Sequence, residues 1–309
     1  MRVLAGITTF NDEKVIDQCL GAVGGQTRPV DGMLIVDNAS TDGTLDRPFP
    51  ATVEVIRHGE NLGTSGGAHS AMAFALAHGY DWVWLFDADS APRPDALERL
   101  FEFHEGLAPG EREMVHRLTS MAIDVTTGQE FHGMVLTERG FQHVAPPPGV
   151  DFYECIGTIW SGSLFRAEAV RAVGLPRVEY RLDWAEFIYG YKAAAKGYRT
   201  YVVSRSVIDH NIDRVPTSEI YAQHRFGPLS FKVMEFPALR LYYIVRNELI
   251  FWLHEYEGGD ISRMRALRSS MNWVPKHIVK YLILGRWAQL RATLRGVVDG
   301  LQGRLDRRL

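Results

Sequence analysis

Two cysteines, Cys19 and Cys155, are all that the 309 residues contain. They form neither a CxxC pair nor a zinc-type spacing. That excludes a disulfide framework and a structural zinc site, and it points to a reducing compartment. Charge of one sign is also missing. The net charge is −3, so nothing global marks a nucleic-acid binder. No run approaches the roughly 18 consecutive apolar residues of a membrane span. The chain enters a strand-like run, Arg2–Thr8, directly, without the apolar core and small-residue cleavage site of a secretory signal. Cytoplasmic residence is therefore expected. Neither GxGxxG nor GxxxxGK[ST] occurs, which removes support for dinucleotide-binding and P-loop readings. Internal repeats and low-complexity tracts are absent. What remains is an ordinary globular composition, 46% hydrophobic and 23% charged.

The first hundred residues alternate strand and helix signals. Strands are expected at Val3–Thr8, Gly32–Asp37, Val53–Arg57 and Trp82–Phe86. Helices are expected at Asn11–Val23, Gly66–His78 and Pro94–Phe103, with Pro94 at the first helical position and Asp95 at its positive end. Near-continuously apolar strands separated by helices indicate a parallel sheet covered on both faces. After about residue 105 the pattern changes. Leu118–Val125 and Glu130–Leu136 read as a hairpin around TTGQ, and Pro146–Pro148 as a surface loop. Thr158–Phe165 reads as a strand entry, and Tyr201–Val203 as a strand. Ala167–Val173 and Asp183–Lys196 read as helices. The expected organisation is an α/β domain over residues 1–236 with a helical, basic extension over 237–309.

The run Trp82–Phe86 ends abruptly at Asp87 and Asp89. In open α/β sheets, ligands sit beyond the carboxyl ends of the strands. Two carboxylates this close repel unless hydrogen-bonded or bridged by a cation, and oxygen ligands suit Mg²⁺ or Mn²⁺. Alone, the triplet is weak evidence and reads first as an exposed turn whose aspartates cap backbone N–H groups. Its company matters more. Thr8-Thr9-Phe10-Asn11, Asp37-Asn38-Ala39-Ser40 and Asn61 through Gly66-Gly67 fall at neighbouring strand ends. The last group enters a helix, whose N-terminus can hold phosphate, and its glycines would let a ligand approach the backbone.

ITTFN, VDNASTDGT (36–44), ENLGTSGG (60–67) and FDADSAPRPDAL (86–97), in that order, resemble the inverting family 2 glycosyltransferases of glycosyltransferase-A fold, the rhamnosyl- and galactofuranosyltransferase subset above all. Looser likeness continues through WSGSLFR (160–166), LDWAEF (182–187), IDH (208–210) and YYIVRN (242–247). The resemblance implies a mostly parallel central sheet flanked by helices. It also implies sugar transfer from a dTDP- or UDP-linked donor to a glycan or polyprenyl-diphosphate-linked acceptor, as in cell-surface polysaccharide synthesis. Thr8, Phe10, Asn11, Asp37 and Asn38 would bind the nucleotide. Asn61, Gly66 and Gly67 would line the diphosphate and ribose, with Asp87 on ribose or metal. Asp89 and His210 would complete a Mn²⁺ or Mg²⁺ site.

Displacement at an anomeric carbon requires a base for the acceptor hydroxyl. LDWAEF offers Asp183 and Glu186, which share a face if a helix begins there. They could equally form a capping box, with Asp183 as N-cap. Many relatives of this kind place the base two residues before the glutamate, where this chain has Trp184. Asp183 is the favoured base over Glu186. Trp160 and Trp184 are candidates to stack on sugar faces, against the commoner use of tryptophan in a core. Arg246 is a candidate for a donor or lipid-linked diphosphate, against a place within a helix.

From Lys276 onward stand eight Lys/Arg and two acidic residues, +6 on a chain of net −3. Apolar residues interleave with the bases, as in a helix that lies on an anionic membrane, packs on the catalytic domain, or meets another subunit. Two further readings compete for the whole chain. A nucleotidyltransferase would need a glycine-rich basic loop after the first strand, and TTFNDEK has no glycine. A non-catalytic nucleotide-sugar or glycan-binding scaffold would not need D-x-D, His210 and a base together.

Overall fold

The computed structural model describes residues 1–147, 149–213, 221–226 and 229–309. The chain runs β1 (Val3–Thr9), α1 (Ile16–Gly24), β2 (Gly32–Asp37), β3 (Val53–Arg57), α2 (Gly63–Ala77), β4 (Trp82–Asp87), β5 (Ala91–Pro92), α3 (Ala96–Gly106) and α4 (Pro109–Glu113). It continues through β6 (Val115–Asp124), β7 (Glu130–Phe131), β8 (Met134–Thr137), β9 (Gly140–His143), β10 (Phe152–Cys155), β11 (Ser163–Arg166), α5 (Ala167–Val173), α6 (Ala185–Ala195) and β12 (Arg199–His210). Last come β13 (Tyr221–Phe226), β14 (Leu229–Met234), α7 (Ala238–Ile250), α8 (Arg263–Ser270), α9 (Trp273–Ile283) and α10 (Trp287–Leu301).

Residues cluster into two units. The first holds Met1–Val135, His143–Val178 and Glu186–Arg214, and the second Leu136–Gln142, Glu179–Ala185 and Val215–Leu309. The main sheet lies in the first unit, in the order β10-β12-β6-β11-β4-β1-β2-β3. β3, β2, β1 and β4 are mutually parallel, as their apolar runs and intervening helices predict. The other half is mixed. β11 is antiparallel to β4 and β6, β12 is parallel to β6, and β10 is antiparallel to β12. Central β1 and β4 are buried on both faces, whereas edge strand β3 is largely exposed. Trp82, Trp84 and Phe86 of β4 share one core cluster with Ile16, Cys19, Leu97 and Phe101.

Several local expectations shift. The helix after Pro94 begins at Ala96, and Asp95 pairs with the Arg99 side chain rather than capping backbone. The hairpin around TTGQ forms, with Ala122 opposite Phe131, but its second strand stops there and β8 resumes at Met134. Pro146 and Pro147 lie outside regular structure, while Pro148 falls outside the described residues. The helix expected from Asp183 begins at Ala185, because Asp183 and Trp184 both have left-handed backbone, φ 50° and 66°. The shared helical face and the Asp183 capping box therefore do not exist. The tail is two helices, α9 and α10, separated at Gly285 (φ 64°).

In the second unit α7 is the core element, with every residue from Leu241 to Ile250 buried. α10 packs against it through small residues. A Cβ on Gly296 would stand 2.8 Å from the Tyr242 carbonyl, and one on Gly300 2.7 Å from Leu249 Cβ. Among these buried groups is Glu248. Burial pushes its carboxyl up to about 7, against hydrogen bonds from Ser270 and Trp252 that lower it. A raised carboxyl contributes its stability fully below the unfolded value near 4.5, and that contribution is lost as pH rises through about 7. Glu248→Gln should therefore match wild type in urea unfolding at pH 5. At pH 8 it should be the more stable protein, by ~3 kcal/mol at most.

Candidate metal and donor site

The parallel register assembles one polar edge in the first unit. Thr8 on β1 sits opposite Asp87 on β4, Thr9 opposite Asp37 on β2, and Asp37 opposite Arg57 on β3. Beyond Asp87 the chain turns through Ala88, Asp89 and Ser90 into β5. That two-residue strand pairs with Ile208 and Asp209 of β12, which carries His210 back to the turn. The Ile212 N–H also donates to the Asp89 carbonyl at 3.0 Å. Ligand atoms of Asp87, Asp89 and His210 thus lie within 4.8 Å of one another. Asp89 and His210 are buried, 7% and 8% exposed, with Oδ1 and Nδ1 3.5 Å apart.

Two serines set the orientation of this group. The Asp87 N–H donates to Ser161 Oγ at 3.0 Å, and Ser161 Oγ donates to Ser90 Oγ at 2.7 Å. Ser90 Oγ lies 2.6 Å from His210 Nδ1. Nδ1 is also the ring nitrogen that faces Asp89 Oδ1, so Ser90 fixes the orientation of the imidazole beside the carboxylates. Phe131 meets the same ring edge-on at 5.2 Å. Two carboxylates and one imidazole, held this close, fit a divalent ion of Mn²⁺ or Mg²⁺ type.

The residues expected around a donor reach the same edge, but several are occupied with building it. Asp37 is fully buried, accepts from the Ser40 N–H, and lies 3.4 Å from Arg57. Asn38 donates to the Gly63 carbonyl and accepts from the Leu62 N–H and the His58 ring. Asn61 accepts from the Gly63 N–H. Asn11, left-handed at φ 57°, accepts from the Thr41 N–H. Phe10 stands 42% exposed. Gly66 and Gly67 need a correction. They lie buried within α2, against Leu62 and against the Thr8 side chain, so a Cβ at either would collide with packed side chains. The smallness of Gly67 admits Thr8 of β1, whereas Gly66 makes room for Leu62 at the start of its own helix.

The base candidates part company. Glu186 sits in the first turn of α6 in the first unit, whereas Asp183 lies in the second. The Asp183 carboxylate accepts from Arg240 Nε and Nη2 at 3.0–3.2 Å. Burial raises its pKa, and Arg240 opposes that rise. The loop that bears it is strained, with Arg181, Asp183 and Trp184 all left-handed, at roughly 1–2 kcal/mol each. Asn247 Nδ2 offsets the strain by donating to the carbonyls of Tyr180 (2.9 Å), Leu182 (2.7 Å) and Asp183 (2.9 Å). Its Oδ1 accepts from Arg246 Nε and Nη2.

Arg246 is the second correction. Its guanidinium is fully buried and donates to the carbonyls of Glu179, Leu305 and Arg307. It is a structural clamp on the 179–183 loop, not a group presented to a diphosphate. Trp160 is the third. It is 4% exposed and packs near Phe165 and Tyr189 at 5.9 and 6.0 Å, so its face is not open to a sugar. Trp184 is half-buried, 5.5 Å from Phe141. Sequence reasoning missed Ser90, Ser161 and Arg240. The two serines carried a signal, one directly after D-x-D and one opening SGS, while Arg240 carried none.

Residues 5–109 match the sequence model of "Glycosyl transferase family 2". The chain is 30% identical over 187 residues to galactofuranosyltransferase GlfT1 of Mycobacterium tuberculosis H37Rv, covering 56% of this chain and 58% of that protein. It is 33% identical over 107 residues to undecaprenyl-phosphate mannosyltransferase of Micrococcus luteus, covering 33% and 44%. The chain thus spans less than two thirds of the length of these relatives. Among solved structures, S. aureus TarS 1–349 with UDP-GlcNAc matches at TM-score 0.58 and 15% identity over 99% of this chain and 89% of that one. GalNAc-T7 with UDP, GalNAc and Mn²⁺ matches at TM-score 0.59 and 14% identity over 91% and 57%. At such identity the likeness shows the fold, and that fold is the glycosyltransferase-A type. The matched segment contains all four strand-end motifs and both aspartates, so residues 5–109 form a glycosyl transferase family 2 segment.

Proposed function

We propose that this protein is a metal-dependent inverting glycosyltransferase that moves a sugar from a nucleotide-diphosphate donor to a glycan or lipid-linked acceptor. The Asp87–Asp89–His210 cluster, at the carboxyl end of β4 and with both aspartates inside the family-matched segment, carries the proposal. A divalent cation bound there would neutralise charge on the departing diphosphate. Ser90 and Ser161 keep His210 and the D-x-D turn in register, so little reorganisation accompanies binding. Thr8, Phe10, Asn11, Asp37, Asn38 and Asn61 are proposed to shape the nucleotide side, where Phe10 offers an exposed ring. The names of the relatives favour galactofuranose from a UDP donor over rhamnose from dTDP. The undecaprenyl-phosphate relative supports a polyprenyl-linked acceptor. Two buried, unpaired cysteines support a cytoplasmic place of action.

Asp183 is proposed as the base, with Glu186 second. A base must be ionised to accept the hydroxyl proton, and one with a raised pKa is the better acceptor near neutrality. Because Asp183 is raised by burial, the acidic limb of the rate profile should lie above the ordinary carboxylate range near 4. Arg240 holds that pKa down, so Arg240→Met should move the limb to higher pH.

Three measurements test the scheme. Asp89→Ala should abolish Mn²⁺ binding by calorimetry and transfer together, and full transfer in the presence of a chelator would overturn the proposal. Asp183→Asn should lower transfer by at least about 10³-fold while donor affinity is kept. Donor binding without turnover for every acceptor offered would instead favour a non-catalytic binder. Asn247→Leu should cost about 2–4 kcal/mol of stability, because three buried carbonyls lose their common partner. It should also expose residues 179–184 to limited proteolysis, with Mn²⁺ affinity unchanged.

A further inference from the structure

The C-terminal helix α10 is packed inside out. Its buried residues are Ala292, Thr293, Gly296, Asp299 and Gly300, the small or polar side chains that let it approach α7 closely. Four of its six large apolar residues point the other way, while Leu290 and Val297 pack partly against the core. Trp287 is 62% exposed, Leu294 46%, Val298 46% and Leu301 55%. At about 100° per residue these four and Arg291 fall within one arc of roughly 80°. The preceding helix α9 buries Val274 and Tyr281 but also leaves Val279, Leu282 and Ile283 55%, 54% and 40% exposed. A helix that only stabilised a fold would bury its leucines and expose its small residues. A contiguous apolar surface of this kind marks an interaction site.

We infer that the outer faces of α9 and α10 dock on an anionic lipid bilayer. Charge selects that occupant. Arg291, Arg295, Arg304 and Arg307 border a groove of about 810 Å³ along Trp287, Leu294 and Val298. The one acid there, Asp299, is buried and already paired with Arg295 at 2.8 Å. Apolar side chains flanked by long cationic ones match the two layers of a membrane surface, with acyl chains below and anionic headgroups above. A second copy of the same face would bring these arginines against one another, which disfavours self-association as the alternative. No helix among the described residues is long and apolar enough to cross a membrane, so the contact is a surface one. This inference rests on the second unit alone and stands apart from the glycosyl-transfer reading.

The test is vesicle co-sedimentation of the full chain, without donor or acceptor, on phosphatidylcholine vesicles with and without phosphatidylglycerol. Wild type should bind the phosphatidylglycerol vesicles and bind pure phosphatidylcholine more weakly. Leu294→Glu and Val298→Glu should each reduce binding by roughly tenfold. Arg291→Gln and Arg307→Gln should each reduce it about fivefold, on the anionic vesicles only. These positions are exposed, so Mn²⁺ affinity should be unchanged in every variant, which confirms a folded protein and keeps this result separate from that of the metal site. Absence of binding to either vesicle would overturn the inference, as would charge-reversed variants that bind like wild type. Sedimentation analysis showing a wild-type dimer that Leu294→Glu disperses, without vesicle binding, would overturn it in favour of a second copy.

Discussion

The pairing of a two-residue strand decides where the chemistry of this protein can occur. Ala91 and Pro92 sit only two and three residues beyond Asp89, and they align with Asp209 and Ile208 at the end of a twelve-residue strand. The Ile212 N–H, bonded to the Asp89 carbonyl, reinforces that approach. Once that pairing exists, the buried carboxylate and imidazole have little freedom, because Ser90, Ser161 and Phe131 close around the ring. Burying a carboxylate beside an imidazole is costly unless a proton or cation is shared between them. The fold accepts that cost at the carboxyl end of a strand buried throughout its apolar run. The wall behind the site is apolar throughout, since β4 shows no exposed residue before Asp87.

A second constraint operates in the other unit. Three left-handed residues in a four-residue stretch would not persist on local preference, and Trp184 is a poor candidate for such backbone. They persist because one amide gathers three carbonyls and one buried guanidinium gathers three more, with the two side chains bonded to each other. Every polar group involved is paired, so the network holds a single loop conformation at little electrostatic cost. Removing either member would leave buried carbonyls without donors. The Asp183 carboxylate is thus aimed by backbone geometry at one end and by Arg240 at the other.

Much of this was legible in the sequence, and the parts that were not share a cause. The parallel half of the sheet followed from apolar runs and helical spacing, with Gly32–Asp37 and Val53–Arg57 bounded to the residue. Asp87, Asp89 and His210 stand out by motif resemblance, and the fold brings them together. Errors arose where one residue type serves two opposite purposes. A glycine at a helix start reads equally as room for phosphate and room for a threonine, and Gly67 is the latter. An arginine reads equally as a ligand for anions and a clamp for carbonyls, and Arg246 is the latter. Composition cannot separate these uses, because the distinction lies in what packs against the residue from distant parts of the chain.

The C-terminal helices pose the same ambiguity in its sharpest form. Periodicity shows that α10 has two faces, but not which one the protein keeps for itself. Ordinary reasoning assigns the large apolar face inward, since each such side chain gains about 1.5–3 kcal/mol on burial. Here glycine and alanine occupy the interface, where Gly296 and Gly300 bring the helix against the α7 backbone. Close approach of two helices recovers dispersion contacts that small residues could not make at ordinary spacing. The helix is therefore anchored largely by small residues, with Leu290 and Val297 partly buried, while Leu294, Val298 and Leu301 stay available at the surface. Charge follows the same division. The tail carries an excess of positive residues on a chain whose remainder is negative, and its bases flank the exposed apolar stripe, Arg295 also pairing with the buried Asp299. A segment that holds its place with small residues and leaves large apolar and cationic ones outward is built to meet a second phase.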